Sequence, residues 1–227
     1  MNAAILQETL NQAREDASSL AAAAKKQMGQ SELRWGVTEA VCQLADVARF
    51  VASHARFADL AIVPRPYGDD RGIELEPAVE GALFEGQSPV IVLPDGGLEL
   101  KLPGKIAIGW NESAEALRAV RSALPFLSGA HTVHIVVIDP PKHGPTRSDP
   151  GGQVSQYLAR HGVKVEIDVL SKTMPRVSDV MRRHVTDISA DMVVMGAYGH
   201  SRFREAILGG ATRNMLETCE VPVFMAH

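Results

Sequence analysis

Short apolar runs alternate with amphipathic stretches along the second half of the chain. "KIAIGW" (105–110) is a short apolar run and predicts a buried strand. The next stretch, "ESAEALRAVRSALPFL", carries Leu117, Val120, Leu124 and Leu127 at helical spacing, with Asn111 or Ser113 placed to cap it. "HTVHIVVI" (131–138) is β-branched and predicts a second strand. A loop rich in Pro and Gly, 139–152, leads into a helix over "QVSQYLARHG", closed by Gly162. "VKVEIDVL" alternates, as a strand near an edge does. Val177, Val180, Met181, Val185 and Ile188 share one helical face. "DMVVM" (191–195) is a fourth strand, "RFREAILGGATRNMLETC" a helix, and "VPVFMA" (221–226) a last strand. Strands that alternate with helices argue for a parallel sheet covered on both faces. Strands apolar throughout fit burial from both sides.

The first half repeats the later part of this pattern. "ARFADLAIVPRP" (55–66) resembles 187–198, with Asp59 standing 132 positions before Asp191. "SPVIVLPD" (88–95) resembles 221–227, with Pro89 standing 133 before Pro222. "VCQLADVARFVASH" is amphipathic like 177–188, "ELRWGV" takes the place of "VKVEIDVL", and a Leu/Ala stripe at 6, 10, 13, 17, 20 and 24 predicts a first helix. Shifting 105–139 back by the same interval runs off the start of the chain. The sequence therefore reads as two related units, 1–97 and 104–227, the first lacking its opening strand, helix and second strand.

Composition narrows the classes. Of 227 residues 45% are hydrophobic, enough for a folded core. A net charge of −4 provides no overall basic field for nucleic acid or an anionic membrane, and no run is long enough to span a bilayer. Cys42 and Cys219 form no CxxC pair, so the expected setting is a reducing cytoplasm without a disulfide framework. The histidine spacings give no metal signature. His131 and His134, three apart in a strand, point to opposite faces.

The candidate chemistry lies just beyond Met195. Gly196, Gly199, Gly209 and Gly210 fall where the fourth strand ends, and open α/β sheets bind ligands beyond the carboxyl ends of their strands. Glycines there let backbone N–H groups approach an anion, and the helix that follows presents its positive end. The spacing, G-x2-G-x9-G, is neither a P-loop nor GxGxxG. The competing reading is turn and packing chemistry. After the matching strand of the first unit comes "PRPYGDDRGIELEP", whose acids would repel phosphate, so that unit reads as structural. No Ser-His-Asp pattern, HExxH or carboxylate pair supports catalysis.

"MGAYGHSRFREAILGGATRNMLETCEVPVFMAH" resembles the C-terminal signature of the universal stress protein family. The resemblance covers 105–227, and the chain as a whole resembles tandem members. It implies a five-stranded parallel sheet of order 3-2-1-4-5 in the second unit, and final strands of the two units paired antiparallel. It also implies ATP or another adenine nucleotide, with Mg2+ accompanying it, held at Met195, Gly196, Gly199, Gly209, Gly210, Ala211 and Thr212. The family's Ser or Thr is replaced by Gly210, with Thr212 the nearest hydroxyl. The strand-one Asp of the family falls on Asn111, and Trp110 precedes it at the base end. The expected role is regulatory, with at most slow ATP hydrolysis. An interaction module without nucleotide and an adenine-nucleotide hydrolase are the alternatives. Open apolar edges in the shortened first unit lead to the expectation of a homo-oligomer, a dimer in the first instance.

Overall fold

The structure, a computed structural model, describes residues 3–69, 71–96, 104–140, 148–197 and 210–227. The chain falls into two compact units, Met1–Asp46 and Val47–His227. The first contains helix α1 (Ala3–Met28), an irregular segment tied by the Lys25 Nζ–Glu39 Oε1 ion pair at 3.1 Å, and a 3₁₀ turn at Leu44–Asp46. The strand expected over "ELRWGV" is absent: 34–43 has no regular structure, and Leu33 and Trp35 are exposed. An alternating pattern satisfies one face of a strand, but the backbone groups still need a neighbouring ladder, and none is present there.

The second unit is built on one seven-stranded sheet. Its strands are β1 (Ala61–Pro64), β2 (Val90–Leu93), β3 (Lys105–Gly109), β4 (Thr132–Ile138), β5 (Val165–Leu170), β6 (Met192–Gly196) and β7 (Val223–Ala226). The order is β1-β2-β7-β6-β3-β4-β5. From β3 to β7 every pairing is parallel, giving the expected order 3-2-1-4-5. β1 and β2 are also parallel, and β2 meets β7 antiparallel, with Ile91 opposite Phe224. The expected pairing of the two final strands is therefore present.

Helices cover both faces. On one lie α4 (Ala114–Ser122), α5 (Leu124–Gly129) and α6 (Gly152–Arg160), packed on Ile106, Ile108, Ile135, Val194 and Phe224. On the other lie α2 (Val47–Ala55), α3 (Leu75–Glu80) with a π turn at Gly81–Glu85, α7 (Val177–Asp187) and α8 (Gly210–Thr218). These cover Val92, Ala107, Val136, Val193 and Met225. Alternate residues of each strand thus enter opposite halves of the core, as the pleat requires. The single helix expected over 112–127 is broken at Ala123, because Pro125 has no N–H to continue the ladder and instead opens α5.

Three local devices position the ends of the elements. Asp191 Oδ2 accepts the Lys105 N–H at 2.8 Å, and the Asp191 N–H donates to Lys105 O at 2.8 Å, locking β6 against the start of β3. Arg65, just after β1, donates to the carbonyls of Glu217 and Cys219 and so satisfies the C-terminus of α8. Gly196 ends β6 against α4: a Cβ built there would lie 2.5 Å from the Ala116 nitrogen. Only a glycine lets that helix come so close.

Two predictions follow from this packing. Gly196→Ala drives a methyl group into the backbone of α4 and is expected to cost about 1–3 kcal/mol, read as a lower urea midpoint at unchanged slope. Burial pushes the Cys219 thiol above its ordinary value. The unfolded thiol therefore ionises first, and the native state loses stability as pH rises above about 8.5, the ordinary thiol value. Denaturation at a series of pH values should show that loss, and Cys219→Ala should remove it.

Candidate functional site

The chain leaves β3 through Trp110 and Asn111 and turns into α4. Asn111 Oδ1 accepts the Ser113 N–H at 3.2 Å, and Ser113 Oγ accepts the Ala116 N–H at 3.1 Å. Between them Glu112 adopts a left-handed conformation, φ 62°. A hydrogen bond from its own backbone N–H, joined by one from the Ser113 hydroxyl, holds the Glu115 carboxyl below the usual carboxylate range. Side chains of this turn therefore already occupy first-turn donors of α4. Its N-terminus is a capped helix end rather than an open anion cradle.

Beside this turn is a cleft of about 560 Å³, between the opening turns of α4 and α6. Its apolar walls are Trp110, Leu117, Val154 and Tyr157, and its polar lining includes Glu112, Asp149 and Gln153. Gly151 makes the second wall possible. At φ 87° it starts α6 in the left-handed region, and a Cβ there would approach Ile135 Cγ2 to 3.2 Å. The neighbouring Gly152 leaves space for the Asp149 carboxylate, which a Cβ would strike. The cleft has the size of a small-molecule site and lies where β3 sends one connection to β4 and has β6 as its other neighbour. Its aromatic walls suit a planar ring, and its carboxylates suit hydroxyl and amine donors. Two carboxylates disfavour phosphate in the same space.

The structure separates the residues expected from sequence. Trp110 lines the cleft, while Asn111, two residues before Ser113, spends its carboxamide oxygen on the turn. Met195 and Gly196 end β6, and Gly196 faces the backbone of α4 rather than open space. Gly210 and Ala211 open α8 with exposed surfaces, whereas Thr212 is buried. Gly199 and Gly209 lie outside the described residues. Sequence reasoning missed Asp149, Gly151, Gln153 and Tyr157, which it placed in a loop and an ordinary amphipathic helix. The available signal was the Asp-Pro-Gly-Gly run at 149–152, which opens a helix at the carboxyl end of a strand. The Glu112 and Asp149 carboxylates share the cleft although no motif links them.

Comparison with known proteins agrees with this architecture. Universal stress protein Slr1230 of Synechocystis sp. is 28% identical over 129 residues, covering 52% of this chain and 41% of that protein. The chain thus spans about two fifths of that relative's length. The crystal structure of a universal stress protein from Archaeoglobus fulgidus DSM 4304 superposes with a TM-score of 0.69 at 18% identity, over 100% of this chain and 80% of that one. A functionally unknown protein from Pseudomonas aeruginosa PAO1 superposes with a TM-score of 0.56 at 15% identity, over 92% and 77%. At these identities the two structures speak for the fold alone. The family model described as the universal stress protein family matches residues 104–227, and the chain belongs to that family.

Proposed function

We propose that this chain is a regulatory universal stress protein that takes one adenine nucleotide per chain, with its base and ribose in the cleft beside Trp110. The observation that carries the reading is the lining of that cleft: aromatic walls at Trp110 and Tyr157, with the Glu112 and Asp149 carboxylates. Adenine offers a flat face and an N–H donor pair, and ribose offers hydroxyls that carboxylates accept. The phosphates would then extend away from the carboxylates, and the resemblance assigns them to Gly199 and Gly209, which lie outside the described residues. Mg2+ would enter with the phosphates, its usual partners. The cleft carboxylates would hold and orient the sugar, and hydrolysis is not assigned to them. In this reading residues 1–97 are a shortened companion unit without a site of its own, and the exposed edge at β1 is where a second copy would associate. The setting is the reducing cytoplasm that the two unpaired cysteines suit.

A second reading, an interaction module that uses the same fold without nucleotide, is favoured by Gly196 packing directly on α4 and by the occupied first-turn donors. Fluorescence separates the two. Trp35 and Trp110 are the only tryptophans, so Trp35→Phe leaves Trp110 as the sole reporter. Titration with adenosine, AMP and ATP is expected to give saturable quenching. Gly199→Val should weaken ATP at least tenfold, about 1.4 kcal/mol, and leave adenosine nearly unchanged. Flat titrations with all three compounds would leave the interaction module as the function of this fold.

A further inference from the structure

On the face of the sheet opposite the cleft, three polar side chains converge that the nucleotide reading does not use. His134 is the third residue of β4, and Asp168 the fourth of β5. His134 pairs with Glu166, so Asp168 lies two residues further along the same face of the neighbouring strand. His184 comes down from α7, next to the core residue Val185. His134 Nδ1 is 2.9 Å from Asp168 Oδ2, and His184 Nε2 is 2.7 Å from the same oxygen. The three donor atoms lie within 4.8 Å of one another.

This arrangement is unusual for the layer that holds it. Val136 and Ile138 of β4, and Met181 and Val185 of α7, are apolar and pack together. His134 is 7% exposed. Burying two imidazoles and a carboxylate in such a layer costs desolvation that an apolar trio would avoid. The chemistry of the set is specific: two neutral imidazole nitrogens and one carboxylate oxygen are the ligands of a borderline divalent ion such as Zn2+, and not of Ca2+ or Mg2+, which take oxygen.

We propose that His134 Nδ1, His184 Nε2 and Asp168 form a binding site for a divalent transition-metal ion, Zn2+ first among them. The fourth position goes to water or to Glu166, whose Oε2 is 4.0 Å from His134 Nδ1. Tetrahedral zinc with bonds of about 2.0–2.2 Å sets its ligand atoms about 3.3 Å apart. The two His–Asp contacts must therefore open by roughly half an ångström, while the two imidazole nitrogens, within 4.8 Å of each other, settle to the same spacing. Access comes from the side of Asp168 and His184, whose side chains keep 22% and 15% of their surface exposed. Binding requires each imidazole to present the nitrogen facing Asp168 without a proton, the proton residing on its other ring nitrogen, and joins β4, the sheet-edge strand β5 and α7 through one centre. The proposal stands apart from the nucleotide reading, since no residue is shared.

The test uses the full chain stripped of metal. Titration with Co2+ is expected to give the intense visible bands of a four-coordinate N/O site at one equivalent, and Zn2+ should abolish them by displacement. Zn2+ should also raise Tm, with the rise following the logarithm of its free concentration above Kd. Asp168→Asn and His184→Gln are expected to weaken Zn2+ at least tenfold, whereas His131→Gln, at an exposed position outside the cluster, should bind as the parent does. Should either cluster variant fail to fold, the spectrum of the parent protein decides alone. Absence of a stoichiometric cobalt spectrum, a thiolate-to-cobalt charge-transfer band assigning the metal to a cysteine, or unchanged Zn2+ affinity in folded Asp168→Asn would each overturn the proposal.

Discussion

The antiparallel seam between β2 and β7 is the contact on which the rest of the second unit depends. β7 would otherwise be an edge strand, and it carries Phe224 and Met225, both fully buried. Removing its neighbour would expose their flanks together with unpaired backbone groups. With β2 in place, the two halves form one continuous sheet and the core runs unbroken on both faces. The seam also brings Arg65 to the end of α8 and places Tyr67 under the Arg213 guanidinium, 4.8 Å from the ring centroid. The helix that follows the glycine-rich run is thus held by side chains from the other half of the sheet.

Strand order then decides where a ligand can go. β3 lies between β4 and β6, and the connections on its two sides run over opposite faces of the sheet. A crevice opens at its carboxyl end for that reason. What the crevice accepts depends on the residues that close it. Gly196 draws α4 onto the end of β6, and Ser113 and Glu115 occupy first-turn donors of that helix. The N-terminus of α4 is thereby closed to an anion. The cleft proper, between α4 and α6, is aromatic and carboxylate-lined, a surface for a ring and hydroxyls.

The strands were legible because a strand buried on both faces leaves a continuous apolar run, as in "IAIG" (106–109) and "MVVM" (192–195). The seam was legible from the repeated Pro-Val motif and the family resemblance together. What was not legible has distinct physical causes. "ELRWGV" has the composition of a strand, but pairing depends on a neighbour that a local pattern cannot report. Asn111 stands where the family resemblance expects an Asp, and only the structure shows that its Oδ1 accepts the Ser113 N–H of the following turn. Asp149 and Tyr157 meet Trp110 only because α6 begins over Ile135, and the left-handed Gly151 that allows this looks like any loop glycine. His134, Asp168 and His184 are separated by 34 and 16 positions, so strand register and the phase of α7 alone bring them together.

The same topology explains why β1 offers no switch point like the one at β3. β1 and β2 occupy the places beside the seam that β6 and β7 occupy on its other side. β6 has β3 as its outer neighbour, whereas β1 has none among the described residues, and Ile62 is left 57% exposed. A switch point needs strands on both sides of the diverging connections, and an edge strand cannot supply one. The local residues agree: Pro64 ends β1 where Gly196 ends β6, and a ring stands where close approach of a helix requires no side chain at all. The absence of an outer neighbour at β1 thus leaves an exposed edge and supplies no switch point there, among the described residues. That is the physical ground on which the proposed reading places its single nucleotide beside β3 rather than beside β1.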